Sequence, residues 1–188
     1  EFRRVLFRSC GSWGTSTLYF KTSTPISITA TMNDGEQKSF SIEAASNVQS
    51  VSVTGQMTKV KWAVNGANSS TQFYGTALDP KNGVVVDNFA MRGSAGMSLA
   101  SIPEQTMKEM AAKRPYDMLV LQFGLNATSQ RSTQKQLQHY VTQMSKVVET
   151  LKRCYPNATI LIVSMSDRDQ RSGGEIKTMK GVEELVSY

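Results

Sequence analysis

A chain of 188 residues with 39% hydrophobic and 19% charged side chains can bury a core and is too apolar for a disordered tail. No run approaches the roughly 18 apolar residues that cross a bilayer, and the two cysteines, Cys10 and Cys154, fit neither a metal spacing nor a disulfide framework. The net charge of +6 invites a nucleic-acid reading, but the basic residues are scattered and make no concentrated face for phosphates, so no nucleic-acid partner is expected.

The first nine residues, EFRRVLFRS, resemble a one-frame translation of a widely used sequencing adapter, and 1–9 is read as an artefactual leader outside the fold. Without Glu1 and the three arginines of that stretch the net charge falls from +6 to +4. The same reading implies a natural chain that begins further upstream, with any signal peptide lost.

From Cys10 to Pro80 the chain is neutral, sparsely charged and crowded with Ser and Thr. Apolar residues alternate in PISITATM (Ile26, Ile28, Ala30), KSFSIEA (Phe40, Ile42), QSVSVTG (Val51, Val53) and KVKWAV (Val60, Trp62, Val64). A period of two with β-branched partners predicts strands with one wet face. Asn33-Asp34-Gly35, Gly55 and Asn65-Gly66 punctuate them as turns. Residues 10–78 are therefore expected to form a small all-β sandwich or jelly-roll module.

The pattern changes in 79–188. VVVDNFA (84–90), DMLVLQF (117–123) and TILIV (159–163) read as buried parallel strands. Ser101-Ile102-Pro103-Glu104 has the shape of a capping box at a helix start. From about Thr133 to Cys154, Leu137, Tyr140, Val141, Met144, Val147, Val148 and Leu151 recur at helical steps, a core-facing stripe that Tyr155-Pro156-Asn157 ends. Alternating strands and helices predict a doubly wound parallel-sheet α/β core, incomplete at its ends. The last apolar-periodic stretch (Val182, Leu185, Val186) reads as a helix cut short.

In such a sheet ligands gather beyond the carboxyl ends of the strands. RGSAGMSL (92–99) and GLNATSQ (124–130) are the two loops expected there. Gly93 and Gly96 permit close backbone approach, so Gly96 can offer a bare N–H and Asn126 a side-chain NH2. Two convergent donors suit the oxyanion of a tetrahedral intermediate. Each also has a plain structural reading, Gly93-x-x-Gly96 as a turn or anion loop and Asn126 as a cap or turn residue. Their joint placement at neighbouring strand ends favours the donor pair.

With these residues in view, 84–126 resembles the middle of an SGNH (GDSL-type) hydrolase. RGSAGMS is similar to the second block of that family and carries Gly96; GLNA is similar to the third, Gly-x-Asn-Asp, and carries Asn126. Ala127 departs from the family's Asp. FYGTALDPKNGVVVDNFAMRGSAGM resembles the return from a β-sandwich insertion, as in O-acetylesterases of peptidoglycan and polysaccharides. The resemblance extends over roughly 72–165. It implies a flavodoxin-like core, a Gly96/Asn126 oxyanion hole, an acylated polysaccharide or peptidoglycan substrate, an extracytoplasmic location, and neither metal nor organic cofactor.

The family's chemistry also requires a serine in Gly-Asp-Ser and a downstream Asp-x-x-His, because the serine is inert until a histidine takes its proton. Neither motif is present. Ser12 and Ser16 lack the neighbouring Asp, and a turn or strand-entry role suits them better. His139 falls off the helix stripe and is expected to face solvent, and Asp167 and Asp169 read as a polar loop. The chain is thus expected to be a fragment of a serine esterase, inactive alone. Two rivals remain: a non-catalytic cell-surface carbohydrate-binding protein, and a nucleotide-binding α/β protein using RGSAGMS as an anion loop. Trp13, Tyr19, Trp62 and Tyr74 are candidates to stack on sugars, though core filling is the favoured role.

Overall fold

The computed structural model describes residues 11–129, 131–166 and 168–188. The leader 1–9, Cys10 and Asp167 lie outside the described residues. The chain divides into two units, one ending at Asp87 and one beginning at Asn88, each with its own core.

Alternation in the first unit becomes six strands: β1 (Trp13–Lys21), β2 (Ile26–Met32), β3 (Glu36–Ile42), β4 (Gln49–Met57), β5 (Val60–Asn65) and β6 (Gln72–Asp79). They pair antiparallel as β4–β1–β6 and β3–β2–β5. Leu18 and Phe20 of β1 share one buried cluster with Ile26 and Ile28 of β2, so apolar faces of the two sheets meet. Trp62 reaches from β5 to donate its indole N–H to the buried Ser16 hydroxyl at 3.3 Å. The β2–β3 turn places Asn33 and Asp34 in the left-handed region (φ 49° and 61°). The Asn33 carboxamide then bonds Gln56 O and Thr58 N, both at 2.9 Å, and so fastens this turn to the one between β4 and β5.

The second unit runs through a 3-10 turn (Met97–Ser101), α1 (Glu104–Lys113), β7 (Met118–Leu121), α2 (Gln134–Cys154), β8 (Thr159–Ile162), the hairpin β9 (Asp169–Ser172) and β10 (Glu175–Thr178), and α3 (Lys180–Val186). Strands β7 and β8 are parallel, in register from Met118 opposite Thr159 to Leu121 opposite Ile162. Leu121 packs with Met107 of α1 and with Val147 and Leu151 of α2.

The expected doubly wound parallel-sheet core is overturned. Among the described residues eight of the strands lie in three antiparallel sheets, and the parallel layer is the β7–β8 pair alone. A doubly wound sheet must be apolar on both faces because helices cover both. Here α1 and α2 cover one face, and Met118, Val120 and Leu161 on the strands remain exposed. VVVDNFA forms no strand at all, and Val84, Val86 and Phe89 are 90%, 80% and 78% exposed. A β-branched run satisfies its backbone in a sheet only where a neighbouring strand accepts it, and none pairs with 84–90.

Helix α2 follows its stripe, with Leu137, Tyr140, Val147 and Leu151 buried. Its start is a capping box: Gln136 N donates to Thr133 Oγ1 and Thr133 N to Gln136 Oε1, at 3.3 and 2.9 Å. The box expected at Ser101 does not form. Ser101 ends the 3-10 turn, and its hydroxyl bonds back to Ser98 O at 2.6 Å, so α1 starts at Glu104 without a side-chain cap.

Candidate functional site

Gly96 sits at the head of the 3-10 turn in the left-handed region, φ 87° and ψ −24°. Any Cβ there would meet Phe123 Cγ at 2.7 Å and Met144 Cε at 3.0 Å, so backbone conformation and packing both select glycine. Its N–H donates to Ser94 Oγ at 3.1 Å. The preceding carbonyl, Ala95 O, accepts from Tyr140 Oη at 2.9 Å. Tyr140 comes from the buried stripe of α2, and burial pushes its phenol above the ordinary range, keeping it a neutral donor.

Asn126 lies in the turn after β7 that Ala127 N closes on Gly124 O at 2.8 Å. Its Nδ2 crosses to Ser94 O at 2.9 Å. The structure therefore brings Gly96 and Asn126 to one residue: the glycine N–H meets the Ser94 hydroxyl and the carboxamide meets the Ser94 carbonyl. Gly96 is buried and Asn126 exposed. A carboxamide carries two N–H groups, and one is committed here. The Gly96 N–H is held by a hydroxyl whose rotation would release it.

Support for the Asn126 turn is legible only in three dimensions. Ala127, where the resembling family has Asp, packs on the cluster of Leu137, Tyr140 and Leu185. Arg168 donates from Nη1 to Leu125 O at 2.9 Å, which ties the turn to the segment before β9. No pattern in the sequence singled out Arg168.

Other candidates lie elsewhere. Ser12 is exposed, and Ser16 is committed to Trp62 inside the β unit. His139 is exposed on α2, and among the described residues it has no hydrogen-bond partner. Asp169 accepts from Thr178 Oγ1 at 3.0 Å in the β9–β10 hairpin rather than lying in a loop. Tyr19 is buried, Trp13 and Trp62 pack on the cluster of Ala30, Met32, Val53 and Met57, and the Tyr74 hydroxyl donates to Gln72. The helix that an anion loop requires is absent, since only a five-residue 3-10 turn follows Gly96. Among the described residues no three His, Cys, Asp or Glu are grouped to hold a metal ion, and no helix is long and apolar enough to cross a membrane. Two cavities, of about 280 Å³ beside Tyr116 and Tyr155 and about 700 Å³ beside Trp13 and Lys81, are lined by neither Gly96 nor Asn126.

No protein-family model matches the chain, and no curated protein matches it. Solved structures do, two of which are family two carbohydrate esterases. One is a family two carbohydrate esterase from Clostridium thermocellum in complex with cellohexaose, at 14% identity and a TM-score of 0.29, covering 94% of this chain and 74% of that one. The other is a family two carbohydrate esterase from Cellvibrio japonicus, at 13% identity and a TM-score of 0.32, covering 94% of this chain and 71% of that one. A likeness of that degree establishes no shared fold.

Proposed function

We propose that the loops at 94–96 and 124–127 form the oxyanion-holding part of a serine esterase that removes O-acyl groups, O-acetyl above all, from an acylated carbohydrate polymer such as a polysaccharide or peptidoglycan outside the cytoplasm. One observation carries the reading: the Gly96 N–H and the Asn126 carboxamide, from loops far apart in sequence, both bond Ser94.

When a serine oxygen attacks the acyl carbon, the carbonyl π pair moves onto oxygen. That oxygen takes the place of Ser94 Oγ on the Gly96 N–H and accepts the second N–H of Asn126. Collapse expels the sugar oxygen, which leaves with a proton, and water then cleaves the acyl-enzyme by the same path. Donors fixed before the charge develops stabilise it without reorganisation, each by about 2.7–4 kcal/mol. The nucleophile and its base are assigned to no described residue; the resemblance places them in Gly-Asp-Ser and Asp-x-x-His motifs.

A direct test uses ethyl methylphosphonate, a tetrahedral monoanion with the shape and charge of the intermediate, titrated into 15N-labelled chain. The Gly96 amide and Asn126 carboxamide resonances should move together, and an acetylated xylo-oligosaccharide should move them more than its deacetylated form. If both stay still while resonances of the β unit respond to sugar, the esterase reading falls and carbohydrate binding replaces it.

A further inference from the structure

Ala95 C=O and Gly96 N–H are the two ends of one peptide group, which is planar and turns as a unit. Fixing the carbonyl therefore fixes where the N–H points. Tyr140 fixes it, at 2.9 Å from Ala95 O, across 45 positions of chain. The lock has work to do because glycine populates both signs of φ, so the plane before Gly96 could rotate at little steric cost. A hydrogen bond accepted at the carbonyl also polarises the amide and makes its N–H a better donor.

We propose that Tyr140 is a positioning residue of this site, its hydroxyl holding the Ala95–Gly96 peptide so that the Gly96 N–H faces the acyl oxygen. The proposal rests on the oxyanion reading above and extends it to a residue that touches no substrate. The anchor itself is firm. Tyr140 is 8% exposed, packed with Leu137 and Leu185, on a helix whose first turn is closed by the Thr133–Gln136 box. Asn126 pins the adjoining carbonyl, Ser94 O, so two successive carbonyls of this loop are held from outside it.

Tyr140→Phe removes one oxygen and leaves the ring. The experiment follows the Gly96 amide and the ethyl methylphosphonate Kd by 15N NMR in the wild type, in Tyr140→Phe and in Leu185→Val, which trims the same cluster and removes no hydrogen bond to the loop. The expected result is a displaced Gly96 amide, faster solvent exchange there, and a Kd raised roughly three- to tenfold in Tyr140→Phe. Leu185→Val should lose stability and keep its Kd. An unchanged Kd and Gly96 amide in Tyr140→Phe would overturn the role, as would equal weakening in both variants, which is the signature of a merely structural contact. A wild type in which the phosphonate moves neither Gly96 nor Asn126 would overturn the oxyanion reading itself.

Discussion

Asn126 Nδ2 donates to Ser94 O across 32 positions of chain, at 2.9 Å, and joins the loop after β7 to the loop that carries Gly96. One N–H of the carboxamide braces the neighbouring loop; the other has no partner among the described residues and, in the proposed function, meets a ligand oxygen. Asn126→Ala removes both. In the titration, Asn126→Ala should abolish the coupled response of the Gly96 amide. Where a Gly-Asp-Ser serine and an Asp-x-x-His histidine are joined to this chain, aryl acetate hydrolysis should lose about 10²–10³ in kcat, with KM changed little. Full retention of kcat would remove Asn126 from the mechanism.

Ser94→Ala should act in the opposite direction. The Ser94 hydroxyl occupies the Gly96 N–H at 3.1 Å, so any incoming oxyanion must displace it. Deleting a hydroxyl whose bond is worth about 0.5–1.5 kcal/mol frees the donor, and phosphonate affinity should rise by up to about tenfold. The Ser94 carbonyl remains for Asn126. Weaker binding in Ser94→Ala would show that the hydroxyl holds the loop rather than competing for its donor.

Gly96→Ala and Gly93→Ala separate packing from backbone strain. Both glycines are left-handed, at φ 87° and 81°, but a Cβ at Gly93 meets nothing within 4 Å, whereas one at Gly96 enters the Phe123 ring. Urea unfolding should show Gly93→Ala losing about 1–2 kcal/mol from the backbone alone. Gly96→Ala should lose about 2–4 kcal/mol, as overpacking adds to that strain. Equal losses would mean that Phe123 and Met144 yield freely.

Particular residues show how far the sequence carried. The alternation of Ile26, Ile28 and Ala30 and the 3.6-residue stripe through Leu137, Tyr140 and Leu151 became β2 and α2, because a one-sided apolar pattern has one solution per period. Strand β1 left no such trace. It is the middle strand of its sheet, buried from Ser16 to Phe20, and its buried Ser16 and Thr17 break the alternation. The Gly173-Gly174 turn of the β9–β10 hairpin was readable in principle, both residues being left-handed at φ 62° and 90°. Val84–Val86 misled because a β-branched run states a preference and says nothing about whether a partner strand exists. At the site, glycine chemistry pointed to Gly96 and an amide at a strand end to Asn126. The residues that hold them, Tyr140 and Arg168, come from a helix stripe and a polar segment with no motif, and only tertiary contact reveals their bonds.

The link between α1 and α2 sets a pH dependence. Arg153 Nη2 lies 2.9 Å from Glu104 Oε2, and Lys108 Nζ lies 2.9 Å from Oε1. Hydrogen bonding by Arg153 first, then by Lys108, holds the Glu104 carboxyl down at about 2, against 4.5 for the unperturbed group. A carboxyl depressed in the folded state contributes stability that is fully present above pH 4.5 and is lost as pH falls from there towards about 2. Glu104→Gln keeps the shape and removes the charge. Its Tm should lie below the wild type's at pH 7, and the gap should close through that acid window. The pair is exposed, so the gap is small and 1 M salt should shrink it further. A Tm difference that stays constant from pH 7 to pH 2.5 would show that the ion pair contributes nothing and that Glu104 acts at the start of α1 by other means.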